Sequence, residues 1–185
     1  MPLEFTEHGL LPPGDYSMTL EELNSSLLVV GPGADIEPDW DVDWRLHLVH
    51  LAEILADQLF QAGITEVFLD GSIVEQKAHP NDIDGYFECD LHDLATGNLQ
   101  RRLNALGPHK TWTWDPRSRR AYQGYPKKQL PMWHAYRVEL YPHASGVMSG
   151  IRDQYGNELT FPAAFRRQRF GNEPKGIIKI VDVIA

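Results

Sequence analysis

The sequence has almost no cysteine. Cys89 stands alone in 185 residues, so no intrachain disulfide framework can form, and a reducing, cytoplasmic setting is expected. No run approaches the roughly 18 apolar residues that a membrane-spanning helix needs, so no span is expected. Met1-Pro2-Leu3-Glu4-Phe5 carries neither a basic region nor a long apolar run, and no secretory leader is expected. Internal repeats and low-complexity tracts are absent. Bases are nearly absent from the first hundred residues, where twenty acids face only Arg45 and Lys77. Residues 101–185 reverse this, with fifteen bases against six acids inside a chain of net charge −9. An acidic half can gather metal ions and a basic half can meet phosphates; alternatively, the two halves fold against each other into a mixed surface.

Hydrophobic content of 42% and charged content of 23% suit a single globular domain over 1–185. Leu11-Pro12-Pro13-Gly14-Asp15 is turn chemistry. Thr19 and Glu22 have capping-box spacing and open a short helix through about Leu28. The stretch from Gly31 to Asp43, with its glycines, prolines and acids, reads as loop. Leu46, Val49, Leu51, Ile54, Leu55, Leu59 and Phe60 recur near a 3.6-residue period, which predicts a long helix started by Asp41 or Asp43 and ended at Gly63. Glu66–Leu69 reads as a strand broken by Gly71-Ser72, and Ile83–Cys89 as a second strand. A helix is expected over about 91–105, an irregular loop over 107–131, a third strand over His134–Tyr141, a short basic helix over Phe161–Phe170 and a last strand over 177–180. Such an order predicts an α/β (α+β) domain: a small mixed β-sheet flanked by helices, with a core at about 44–141, an N-terminal helix and loop at 1–43 and a basic C-terminal extension at 142–185.

Three features carry chemistry. Phe68-Leu69-Asp70-Gly71-Ser72 runs a strand into Gly-Ser. Asp82-Ile83-Asp84 follows, and later comes Glu139 between Val138 and Leu140. Residues i and i+2 of a strand share a face, so Asp82 and Asp84 project together. Two carboxylates that close repel, and a hard divalent cation is the natural remedy. Glu139 on a neighbouring strand could complete the site. Gly71 lets backbone approach a phosphate, Ser72 can donate to it, and a helix starting near Ile73 would add its positive end. Lys77 is the only base nearby and could reach a phosphate.

Gly-Ser, a spacer, Asp-x-Asp between apolar residues, and a later flanked acid resemble the DNA polymerase beta-type nucleotidyltransferase superfamily, over roughly residues 44–141. The runs Leu-Pro-Pro-Gly (11–14), Leu-Asp-Gly-Ser (69–72), Pro-Asn-Asp-Ile-Asp-Gly-Tyr (80–86) and Pro-Lys-Gly-Ile-Ile (174–178) are similar to small stand-alone members found in phage and toxin–antitoxin neighbourhoods. The resemblance implies Mg²⁺- or Mn²⁺-dependent transfer of a nucleoside monophosphate from a triphosphate to a hydroxyl, with pyrophosphate released. It implies Asp82, Asp84 and Glu139 as catalytic metal ligands, and Gly71, Ser72, Lys77 and Arg137 as nucleotide-binding residues. The acceptor classes are RNA, including tRNA ends, a protein hydroxyl or a small molecule, with a cognate toxin or antitoxin as a candidate partner. The rival is an inactive member acting as an antitoxin, a phage accessory factor or a nucleotide sensor.

Blander readings stand beside these. Asp82 could be a turn residue, and Glu139 a solvated strand residue. Arg137 shares the expected strand face of Glu139 and could pair with it. Asp70 caps the following turn or joins the metal site, the first being favoured. His79, His134 and His143 lack zinc-ligand spacing. Cys89 reads as a buried apolar residue. Lys110 to Lys128 interleaves bases with aromatics, which suits single-stranded nucleic acid or a loop that packs its Trp residues on the core.

Overall fold

The long amphipathic stretch becomes α3 (Val42–Gln61), started by Asp41, whose carboxylate accepts the Trp44 amide at 3.0 Å. The computed structural model describes residues 3–169 and 171–182. Leu48, Val49, Ala52, Leu55 and Leu59 of α3 are fully buried and belong to one apolar cluster with the inner face of a sheet. Gly63, at φ +80°, turns the chain out of the helix into that sheet.

The architecture is mixed α/β: a five-stranded mixed sheet flanked by helices. Its strands are β1 (Asp15–Met18), β2 (Val67–Asp70), β3 (Ile83–Glu88), β4 (Val138–His143) and β5 (Ile177–Ile180), in spatial order β1-β5-β2-β3-β4. β1 runs parallel to β5 and β3 parallel to β4, while β2 is antiparallel to both its neighbours. β1 and β5 lie outside residues 44–141, so the sheet takes its outer strands from both ends of the chain.

Alternation along the strands sorts the side chains. Val67, Leu69, Ile83, Phe87, Val138, Leu140, Ile178 and Ile180 join the α3 cluster. The residues between them face the other way. There Phe68, Tyr86 and Ile177 pack with Phe161 of α7 (Phe161–Phe165), and Tyr141 and Phe165 close the group. Phe68 stacks on Tyr86 at 4.6 Å and Tyr141 on Phe161 at 5.1 Å. Asp70, Asp84 and Glu139 share this outer face, two residues along each strand from Phe68, Tyr86 and Tyr141.

Several boundaries differ from the sequence reading, each for a local reason. The Thr19 capping box forms, but α1 (Leu20–Asn24) stops at Ser25, and Ser26 restarts the chain as α2 (Leu27–Val30). The helix expected over 91–105 is two, α4 (Leu91–Ala95) and α5 (Asn98–Leu106), separated by Gly97 at φ +72°. The strand expected from His134 begins only at Val138. Pro131 stands in the first turn of α6 (Pro131–Tyr136), where its fixed φ suits a helix, and Arg137 ends that helix in the left-handed region at φ +54°. The basic helix ends at Phe165, and its expected limit, Phe170, lies outside the described residues. Among the described residues no helix is long and apolar enough to cross a membrane.

Candidate metal centre

Strand register sets the acids in a row. Asp84 of β3 lies opposite Asp70 of β2 on one side and Glu139 of β4 on the other. Residues directly opposite in a ladder point to the same face, so the three carboxyl groups cross three adjacent strands together. Asp82 enters the same neighbourhood two residues before Asp84. Gly71 closes against this row. At φ +84° a side chain there would be strained, and a Cβ would sit 3.2 Å from Asp84 Oδ2. Gly-Ser and Asp-x-Asp, eleven positions apart at Gly71 and Asp82, thus adjoin at Gly71 and Asp84. Ser72 is half-buried in the turn that follows. That turn, Gly71–Val74, is a single 3₁₀ turn and not the helix expected at this point, so the Gly71-Ser72 segment carries no helix dipole of its own.

A buried arginine holds this segment in place. Arg45 lies on the same stripe of α3 as Leu48, Val49 and Ala52 and is fully buried. Its guanidinium donates to the carbonyls of Ile73 (3.0 Å), Glu75 (3.1 Å), Lys77 (2.6 Å) and Leu28, and lies 3.8 Å from the Trp40 ring. Burial lowers its pKa to about 10, which leaves it cationic at neutral pH. Trp44 Nε1 donates to Pro80 O at 2.6 Å and its ring stacks on His79, which pairs with Asp41. α3 and its cap thereby fix the chain from Ile73 to Pro80. The site residues named from sequence did not include Arg45, although its place on the apolar stripe of the helix was a readable signal.

The charges in the row oppose one another. Burial, then the carboxylates of Asp82, Glu139 and Asp70, hold the Asp84 carboxyl well above the usual range. Burial also raises Asp82, against the pull of Trp133, whose indole donates to Asp82 Oδ2 at 2.7 Å; Lys77 and Arg137 pull it down more weakly. Burial lifts Asp70 to about 7 despite the ammonium of Lys175. Lys175 is itself buried, with its Nζ 3.2 Å from Asp70 Oδ1 and 2.8 Å from Glu75 Oε1. Asp70 makes no side-chain cap to the turn, so the capping role expected for it is replaced by an ion pair beside Asp84.

Glu139 is engaged differently. It accepts the Leu130 amide at 2.7 Å, the Arg119 guanidinium at 3.2 Å and the Tyr141 hydroxyl. The expected partner, Arg137, does not share its strand face. As a left-handed helix cap it stacks between Trp133 (4.0 Å) and Tyr122 (4.4 Å), with Nη1 buried and without a hydrogen-bond partner. Lys77 is exposed. Among the described residues, no three His, Cys, Asp or Glu side chains stand in metal-holding geometry. The donor set that fits a hard cation is Asp82 with Asp84, where two carboxyls already raised by burial and by neighbouring carboxylates would ionise against it. Asp70 lies on one side of that pair and Glu139 on the other.

The remaining candidates fall elsewhere. Trp112 and Trp114 pack on the core and donate to Gln58 (2.6 Å) and Leu140 O (2.8 Å), so neither is part of an exposed stacking surface. Tyr122 and the bases beside it remain at the surface. Arg166 is paired with Asp15 at 2.6 Å. His79, His134 and His143 have separate surroundings, with His79 against Asp41 and His134 against the Arg120 carbonyl. Cys89 is half-buried, and burial pushes its thiol up to about 11.

The four sequence runs that carry the family resemblance meet in space. Gly176 N donates to Leu11 O (2.8 Å), Ile177 N to Gly14 O (3.0 Å) and Leu11 N to Val74 O (3.2 Å). A Cβ at Gly176 would sit 2.4 Å from Pro12 O, so only glycine allows this approach. Together they set Lys175 behind Asp70 and Gly71. Fold and site define an α+β protein with a carboxylate row crossing the sheet face opposite α3. The chain belongs to the family described as a family of unknown function (DUF6932), whose model matches residues 3–181. No curated protein and no solved structure matches it.

Proposed function

We propose that the chain is a Mg²⁺- or Mn²⁺-dependent nucleotidyltransferase that moves a nucleoside monophosphate from a triphosphate to a hydroxyl. The observation that carries this reading is the register Asp70–Asp84–Glu139, with Asp82 beside it and Gly71 against Asp84. Asp82 and Asp84 would hold the cation, and Glu139 would complete the site. The bound cation would steady the triphosphate and the departing pyrophosphate. The Gly71-Ser72 turn offers backbone and a hydroxyl to phosphate oxygens, while Lys77 and the unpartnered Nη1 of Arg137 supply positive charge near Asp82. The acceptor oxygen attacks the α-phosphorus, the bond from that phosphorus to the bridging oxygen breaks, and the hydroxyl proton leaves to Glu139 or water. Exposed Tyr122, in the same loop as exposed Lys127 and Lys128, favours an RNA acceptor, a tRNA end included, over a protein hydroxyl. The resemblance favours a toxin-like or phage-defence role with a cognate partner.

One observation favours a second reading. Glu139 has all its oxygens engaged within the protein, as suits an inactive member acting as an interaction protein, such as an antitoxin or phage accessory factor, or as a nucleotide sensor. Incubation with each α-labelled nucleoside triphosphate, Mg²⁺ or Mn²⁺ and total RNA separates the two. Label on RNA or protein that disappears in the Asp82→Ala/Asp84→Ala variant supports the transferase. Thermal stabilisation by metal and triphosphate without label supports the sensor. Neither response leaves the interaction protein.

A further inference from the structure

Glu139 owes its contacts with Arg119 and the Leu130 amide to one surface excursion. The chain leaves the core after Trp114, which is tied to Leu140 O, and returns at buried Leu130. Between these anchors Arg120 and Gln129 exchange both backbone hydrogen bonds at 2.8 Å, closing the excursion on itself. Ala121 to Gly124 and Pro126 to Lys128 are exposed, and the loop rests on the body through Tyr122 and Tyr125, which pack against Trp133. Arg119, at its base, points inward. Its guanidinium reaches Glu139 Oε1 (3.2 Å), the Tyr141 hydroxyl (2.9 Å) and Lys128 O (3.1 Å). The Glu139 side chain is 5% exposed and that of Arg119 28%, so the acid is sealed and its cation is the reachable partner.

We propose that Arg119 is a triphosphate-binding residue that serves as the resident cation of Glu139 until substrate arrives. The inference rests on the nucleotidyltransferase reading of the same site. A guanidinium and a divalent ion compete for one carboxylate, because each repels the other at contact distance. A triphosphate carries more negative charge than a carboxylate and offers paired oxygens to the guanidinium fork, so it is the stronger partner. Arrival of metal and triphosphate moves Arg119 from Glu139 to the phosphates. Glu139 is then free for the cation, still oriented by the Leu130 amide and the Tyr141 hydroxyl. No bond is made or broken in this exchange.

The test measures two affinities by calorimetry: Mn²⁺ alone, and a non-hydrolysable triphosphate in saturating Mn²⁺. Wild type, Arg119→Ala, Arg119→Lys and Asp82→Ala/Asp84→Ala are compared. Arg119→Ala is expected to bind Mn²⁺ alone about fivefold tighter and the triphosphate about tenfold weaker, with Arg119→Lys between on both. A folding defect would weaken both, so the opposite signs are the signature. Unchanged or weaker Mn²⁺ binding, or undiminished triphosphate binding, in Arg119→Ala overturns the role of Arg119. The transferase reading survives that result where wild type binds both ligands and the double aspartate variant binds neither. Wild type that binds neither ligand removes both the reading and the inference.

Discussion

The two faces of the central sheet obey opposite rules. On the face toward α3, Val67, Leu69, Ile83, Phe87, Val138 and Leu140 are sealed in one apolar cluster, and every contact adds stability. On the other face, the same three strands carry Asp70, Asp84 and Glu139 side by side, and burial works against the ionised forms of Asp70 and Asp84. Strand alternation puts stabilising and destabilising residues one position apart. Such strain is tolerated because the opposite face is well packed, and perturbed carboxyls of this kind gather at functional sites.

The largest effect should come from the residue that joins the helix layer to the site. Arg45→Met is expected to cost about 4 kcal/mol in urea unfolding, because several buried carbonyls between Leu28 and Lys77 lose their donor at once. A loss below about 1 kcal/mol would mean that something else holds the 71–77 segment.

Neighbouring substitutions then test the contrast directly. Leu69 pairs with Gly85, and Asp70 with Asp84, so the two rows adjoin across the same strands. Leu69→Ala should destabilise by about 3 kcal/mol through lost burial and the cavity left behind. Asp84→Asn keeps the shape and removes the repulsion, and should stabilise the metal-free protein by about 1 kcal/mol at pH 8. Equal destabilisation by both would erase the distinction between the faces.

How much of this was legible in the sequence follows from which interactions are local. The strands of the acid row could be read from apolar runs broken at Gly71 and begun at Ile83. α3 was plain from its period and its Asp41 cap. β1 was not readable, since four edge residues after Pro-Pro-Gly pair with a strand about 160 positions later, and no local pattern encodes such a partner. The third strand was set four residues too early because Tyr136, Val138 and Leu140 continue a period-two pattern back across Arg137, whereas Pro131 and the left-handed Arg137 decide otherwise. Asp82, Asp84 and Glu139 could be named because strand periodicity places acids on faces. Lys175 and Arg119 could not, because a counter-ion's position depends on how distant segments fold together.

The pH response sharpens the contrast without mutation. A carboxyl with a higher pKa in the folded chain than in the unfolded one binds its proton more tightly when folded. Its contribution is therefore lost as pH rises through that interval. Burial places Asp70 at about 7 and raises Asp82 and Asp84, against about 4 in an unfolded chain. Asp15 and Asp41 are shifted down and act in the opposite sense, but only in more acidic solution. In chelator, the melting temperature should fall as pH rises from about 5 to about 7, less steeply in Asp82→Asn/Asp84→Asn. Mg²⁺ should reduce the fall. A melting temperature that climbs over this interval would contradict the assignment of strain to the acid row.

The finest test concerns a buried indole beside the acid row. Trp133 is fully buried, yet its indole N–H reaches Asp82 Oδ2, and its ring supports the Arg137 guanidinium. Trp133→Phe keeps a phenyl ring but removes the donor and three buried ring atoms, so stability should drop by about 2 kcal/mol. Asp82 would lose its orientation, and metal–triphosphate affinity should weaken roughly tenfold, as when a ligand's outer hydrogen bond is removed. Calorimetry on this variant shows where the order of the outer face originates. An unchanged affinity would mean that the β3 backbone alone aims Asp82. A loss as deep as that of Asp82→Ala would mean that one buried indole aims the acid proposed to hold the cation.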